Sequence, residues 1–135
     1  MEKLTLEHLS GYLSYGLKVK MNTTGNIYKV SGFRKSDDSF KYLFFTNSDC
    51  YSDECKPILH PLSDLTKEIT HNGETLIFYN FYMSKNDLSN INNCIILNQN
   101  LLDYITATLY NNLLKYHFDI HGLIDKNLAI DINTL

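Results

Sequence analysis

Between Leu101 and Ile132 the spacing of apolar residues changes from three-and-four to two, and Gly122 stands near the change. This switch constrains the fold more than any other feature of the chain. Leu102, Ile105, Leu109, Leu113 and Tyr116 fall on one stripe of a helix. Asn100, with Asp103 three residues on, resembles a capping box at its start. Lys115 and His117 stand in its last turn, where positive charge suits the helix dipole. Beyond Gly122, Leu128, Ile130 and Ile132 alternate with Ala129, Asp131 and Asn133, as in a strand with one buried face. The pattern predicts a helix over 101–118 and a closing strand after it.

Upstream, Thr5 reads as the N-cap of a short helical turn that Gly11 and then Gly16 cut off. Leu17, Val19 and Met21 alternate with Lys18 and Lys20, NTTGN reads as a turn, and IYKVSGF as the returning strand of a hairpin. RKSDDS is a second solvated turn, and FKYLFFT, apolar on both faces, is placed centrally in the sheet. NSDCYSDECK is the most polar loop. The two prolines of CKPILHP demand an extended backbone. Ser63 is expected to cap a helix over SDLTKEI, with His71-Asn72-Gly73 as its stop. ETLIFYNFY reads as a third aromatic-rich strand. Residues 83–99 are ambiguous between loop, one helical turn and a short strand at Cys94–Leu97. Together these give one α+β domain over 1–135: an antiparallel sheet of four or five strands, with the long C-terminal helix packed on one face.

A chain of 135 residues is one domain long and buries enough surface for a core of its own. Three cysteines, Cys50, Cys55 and Cys94, form no CxxC pair, so they read as incidental thiols in a reducing cytoplasm. The N-terminal stretch has no apolar core of signal-peptide length, and no run approaches the roughly 18 apolar residues of a membrane span. A cytoplasmic location without membrane contact is therefore expected. The net charge of −3 hides an asymmetry: residues 1–41 hold seven Lys/Arg against four Asp/Glu, and residues 42–135 hold five against eleven.

Candidate chemistry is sparse. His117 and His121 are four apart with Asp119 between them, a spacing that could place two imidazoles on one helix face as metal ligands. Gly122 follows too closely for that face, and capping histidines are the preferred reading, so no metal and no cofactor are expected. There is no Gly-rich phosphate loop, HExxH or GxSxG, which leaves no catalytic residue to name. Lys18, Lys20, Lys29, Arg34 and Lys35 form a candidate basic face beside Tyr15 and Tyr28 that could take nucleic acid. With one arginine in the chain, bidentate grip on phosphate is limited. Ten tyrosines and seven phenylalanines exceed what one sheet face requires. Tyr42, Tyr79 and Tyr82 are expected outside as a partner patch, with the acidic loop residues Asp49, Asp53 and Glu54 steering a basic groove.

Three blocks, LTLEHLSGYLSYGLKV, CKPILHPLSDLTKEI and HFDIHGLIDKNLAIDINTL, resemble a family of small prophage and mobile-element proteins of Bacteroidetes. The chain departs from that pattern at Ser10, Ser14, His60 and His121, where the family more usually has alanine, proline, arginine and an aromatic. The resemblance implies a phage-encoded protein acting in a bacterial cytoplasm. By analogy it also implies a non-enzymatic inhibitor of a host defence protein, most concretely an anti-CRISPR against an RNA-guided type VI nuclease. The alternative expectation is a small RNA- or DNA-binding accessory protein.

Overall fold

The computed structural model describes residues 3–36, 39–97 and 99–135, and of Leu102 only the backbone. Helix α1 (Leu6–Leu9) begins after Thr5, whose N–H donates to His8 Nδ1 at 3.2 Å. The chain does not break at Gly11. It continues as a 3-10 turn, Ser10–Tyr15, and stops at Gly16, where φ is +75°. A Cβ on Gly11 would come within 2.9 Å of Leu114 Cδ1, so glycine there admits a close-packed neighbour rather than ending a helix.

Strands β1 (Lys18–Met21) and β2 (Ile27–Ser36) pair antiparallel, as alternation and the NTTGN turn predict. β2 runs three residues past the expected RKSDDS boundary, and Asp37-Asp38 of that turn lie outside the described residues. A register shift between Val30 and Gly32 bends the strand. β3 (Ser39–Phe44) follows with Phe40, Tyr42 and Phe44 buried and Lys41 and Leu43 half-buried, so one face is inward and not both. It lies one strand from the edge, not at the centre of the sheet. The polar stretch expected as loop contains β4 (Asp49–Tyr51), which pairs with β3, and β5 (Cys55–Leu59) pairs with β1.

The strand order is β4-β3-β2-β1-β5, yet Cys50 of β4 and Cys55 of β5 are joined by a disulfide. The sheet must therefore curl until its first and fifth strands meet, enclosing Leu17, Val19, Val30, Phe40, Tyr42 and Phe44. This bridge replaces the expectation of incidental thiols for Cys50 and Cys55. Cys94 is free and buried.

Pro61 precedes a 3-10 turn, Leu62–Thr66, in place of the helix expected from Ser63. β6 (Glu68–His71) and β7 (Glu74–Ile77) then form a separate hairpin. Asn72 and Gly73 at its tip both have positive φ, as a two-residue hairpin turn of this kind requires. The third expected strand ends at Ile77, because Phe78–Tyr82 coils into α2 and buries Phe78. Residues 83–99 hold the longest helix, α3 (Lys85–Leu97), thirteen residues long. Ser84 and Asp87 start it reciprocally: Ser84 N–H donates to Asp87 Oδ2 at 2.9 Å, and Asp87 N–H to Ser84 Oγ at 3.2 Å.

The helix expected over 101–118 is divided. Leu101–Asp103 form one 3-10 turn, and Thr106 is extended with its hydroxyl accepting the N–H of Leu109 at 3.1 Å. It thus caps a new helix, α4 (Ala107–Lys115), nine residues long. Of the expected stripe, Leu109, Leu113 and Tyr116 are buried and Ile105 is half-buried, while the side chain of Leu102 lies outside the described residues. α4 ends at His117, whose φ is +60°. The N–H of Phe118 reaches Leu113 O at 2.9 Å, and that of His117 reaches Leu114 O at 3.0 Å. This is a Schellman end with histidine in the usual glycine position. The closing strand β8 (Ile130–Asp131) is only two residues long and runs parallel to β5. The six-stranded sheet is consequently mixed, which overturns the expected antiparallel sheet with a long C-terminal helix.

Candidate functional site

Two groups of polar residues stand out, and only one faces solvent. The buried group is His60, Asp64, His117 and Asp119, where the C-terminal segment crosses the end of β5. His60 N–H donates to His117 O and Asp119 N–H to His60 O, each at 2.8 Å, extending β5 by a parallel bridge to Phe118. Asp119 accepts the N–H groups of Leu123 and Ile124 at 2.8 Å each, which fixes the turn at Gly122. Asp64 accepts Asn133 Nδ2 at 2.7 Å and lies 3.5 Å from His60 Nδ1, longer than a well-formed hydrogen bond. Tyr12 donates its hydroxyl to Phe118 O and accepts Ile120 N–H at 3.3 Å.

These contacts pin the C-terminal segment to the core. His117 donates Nε2–H to Tyr15 O at 2.6 Å. Burial lowers its pKa to about 4, reinforced by nearby His71, His60 and Lys18 and only partly opposed by the Tyr15 carbonyl. Burial likewise lowers His60 and His71 and raises the carboxyl of Asp119. The HxxxH pair is not brought together on a helix: the His117 ring sits against His71, and the His121 ring against His8. Among the described residues no group of three or more His, Cys, Asp or Glu could hold a metal ion.

The solvent-facing group lies on the outer face of the curled sheet, with Lys18, Lys29 and Arg34 exposed and Lys20, Lys41 and Lys56 half-buried. Residues directly opposite on neighbouring strands share a face. Lys18 stands opposite Lys29, and Lys20 opposite both Ile27 and Lys56. Farther along, Arg34 stands opposite Lys41, which stands opposite Tyr51. Three of these rungs therefore set cation against cation. Such pairs destabilise a sheet rather than build it. Among the described residues the only ion pairs within 4 Å involve Asp64, so none of these cations has a carboxylate neighbour that close. Lys56 Nζ donates to Asn127 Oδ1 at 3.1 Å.

Aromatic rings sit within the same face. Phe45 is 68% exposed with Lys29 Nζ 5.6 Å from its ring centre, and Tyr51 is 48% exposed with Lys41 Nζ at 4.3 Å. Asp49, opposite Leu43, is a carboxylate at the rim of this face.

The sequence had named Lys18, Lys20, Lys29, Arg34 and Lys35. The register gathers the first four on the outer face. Lys35 is exposed opposite Phe40, whose side chain is inward. Lys41, Lys56, Phe45 and Tyr51 were missed. Alternation in FKYLFF could have found Lys41, but Lys56 joins only through the pairing of β5 with β1.

The expected partner patch is scattered instead. Tyr42 is fully buried, its hydroxyl without a hydrogen-bond partner among the described residues, which corrects its placement outside. Tyr79 is half-buried in α2. The hydroxyl of Tyr82, also half-buried, pairs with that of Tyr116 at 2.9 Å, and this bond and burial push Tyr116 up to about 12. Asp49, Asp53 and Glu54 are exposed on β4 and the turn after it. No helix among the described residues is long and apolar enough to cross a membrane.

Comparison with known proteins returns no matching family model, no matching curated protein and no matching solved structure.

Proposed function

We propose that the protein binds single-stranded nucleic acid on the outer face of its curled sheet, without catalysing a reaction. The observation that carries this reading is the set of like-charge rungs, Lys18–Lys29, Lys20–Lys56 and Arg34–Lys41. A chain with more acids than bases has opposite charges to place there. Self-repulsion on one face is relieved when a polyanion lies across it. Phe45 and Tyr51 add planar surfaces on which unpaired bases stack, and stacking tolerates any sequence. A single arginine fits a face that holds phosphates as point charges and reads few base edges.

The test is fluorescence anisotropy with an end-labelled twelve-nucleotide RNA across a salt series. Engagement of Lys18, Lys20, Lys29 and Lys56 gives a log–log slope of about −3, so affinity falls roughly fiftyfold between 50 and 200 mM salt. No binding at 50 mM salt removes this reading.

A second reading, inhibition of a host defence protein such as an RNA-guided type VI nuclease, draws on a different feature. Ile95, Ile96 and Leu97, consecutive at the end of α3, are all exposed, and Ile95 lines a cleft of about 710 Å³. Contiguous exposed apolar residues commonly mark protein contacts. The choice of partner rests on the resemblance of the three sequence blocks alone. Co-expression with such a nuclease should abolish plasmid interference, and I96D/L97D should restore it. Undiminished interference in the presence of the unaltered protein excludes this second reading.

A further inference from the structure

A second concave feature adjoins the basic face: a cleft of about 720 Å³ lined by Tyr51, Ser52, Asp53, Glu54, Lys56 and Lys3 among others. Tyr51 and Lys56 belong to both, since each also stands on a cationic rung. The turn that carries the cleft is held at four points. The disulfide Cys50–Cys55 closes it from below. Glu54 N–H donates to Tyr51 O at 3.0 Å, Asn22 N–H donates to Glu54 O at 2.9 Å, and Asn22 Nδ2 donates to Asp53 O at 3.1 Å. Those bonds use backbone oxygens and leave the side chains of Asp53 and Glu54 exposed, with no lysine or arginine within 4 Å among the described residues.

Carboxylates beside a phosphate-binding face are counterproductive unless they meet a donor on the nucleic acid. Phosphates offer no donor, and the ribose 2′-OH is a donor common to every ribonucleotide, whereas the exocyclic amino groups are N–H donors that differ from base to base. Cytosine presents an amino group at C4, where uracil presents a carbonyl oxygen that repels a carboxylate.

Resting on the nucleic-acid reading above, we propose that this cleft is a base-selecting subsite. One base stacks on Tyr51, its flanking phosphate meets Lys56, and Asp53 or Glu54 accepts the base's amino group. The preformed turn keeps ordering costs small on binding. The ligand class is thus a single strand presenting cytosine, or another amino-bearing base, at one position, with uracil disfavoured.

Anisotropy with labelled oligo-C and oligo-U of twelve nucleotides, measured on the full chain at 50 mM salt, isolates the one chemical group. Oligo-C should bind about tenfold or more tighter than oligo-U. D53N/E54Q should bring the two within about twofold, chiefly by strengthening oligo-U as repulsion is removed. Y51A should weaken both by about tenfold through loss of stacking. Thermal melting of D53N/E54Q should match the unaltered protein, because the turn is held by main-chain atoms, Asn22 and a disulfide. Y51A gives up its contact with Lys41 and should melt only slightly lower. Equal binding of the two oligomers, or a preference that survives D53N/E54Q, overturns the subsite while leaving the nucleic-acid face intact. Failure to bind either oligomer overturns both.

Discussion

Reversing Lys20 and Lys29 together should weaken single-strand binding by roughly 10² to 10³-fold while leaving the fold slightly more stable. Each lysine–phosphate contact contributes about fivefold at 0.1 M relative to 1 M salt, from counterion release. Reversal removes the contact and adds a repulsion of similar size. Lys29 stands opposite Lys18 and Lys20 opposite Lys56, so K20E/K29E turns two like-charge rungs into opposite-charge rungs. Each such change is worth about 0.2–1 kcal/mol in favour of the sheet. The opposite signs of the two effects are the point of the experiment, since misfolding would lower binding and melting temperature together. A control reversal at Lys85, the first residue of α3 and exposed, should change neither strongly. Unchanged binding by K20E/K29E would remove the face from consideration, and a lower melting temperature would show that the rungs serve the fold.

How far the sequence revealed this fold depended on whether the governing signal was local. The β1–β2 hairpin was legible because alternation and a glycine-bearing turn both lie within fifteen residues. Asn72-Gly73 is equally local, and after SDLTKEI it reads as a helix end, although the same dipeptide is a strong hairpin signal. Its positive φ values serve β6–β7. The start of α3 was also present in the sequence, as Ser84 with Asp87 three residues on. The β-branched pair Ile95-Ile96 within Cys94–Leu97 points the other way, and reciprocal capping prevails. At the C-terminal end the apolar spacing was real, but periodicity does not register a cap inside a stripe. Thr106 restarts the helix, and His117 ends it by adopting the left-handed conformation itself. The parallel pairing of β8 with β5 joins residues more than seventy positions apart and has no local trace.

The basic face divides along the same line. Lys18 and Lys20 are visible by alternation within one strand. Their opposition to Lys29 and Lys56, which makes the face unusual, is a property of register and needs three strands placed together. Alternation sets Tyr42 on one face of β3 with Phe40 and Phe44 and puts Lys41 on the other, so the strand's own period places Tyr42 inward. The expectation that it lies outside follows from the aromatic surplus and not from that period.

Acid should destabilise the protein well before its carboxylates titrate, and His117 should be the main cause. In the unfolded chain its imidazole takes up a proton near pH 6.5, while in the folded chain it resists protonation down to about 4. Between those values the unfolded state binds more protons, so stability is fully present above about pH 6.5 and falls as pH drops through this window. A shift of that size corresponds to at most roughly 3 kcal/mol, a large share of the 5–15 kcal/mol typical of a domain. His60 and His71, also lowered by burial, add in the same direction. Asp119 acts in the opposite sense: its raised carboxyl favours the folded state as it protonates, which blunts the loss at the acid end. Urea unfolding followed by tyrosine fluorescence should therefore show a midpoint that falls steeply from pH 7 to 4.5. Asparagine accepts the left-handed backbone and cannot protonate, so H117N should flatten that dependence by about half. A midpoint unchanged over this range would mean that the imidazole of His117 is reachable by solvent protons without unfolding. The Schellman end of α4 and its bond to Tyr15 would then not close the core as tightly as the 2.6 Å contact implies.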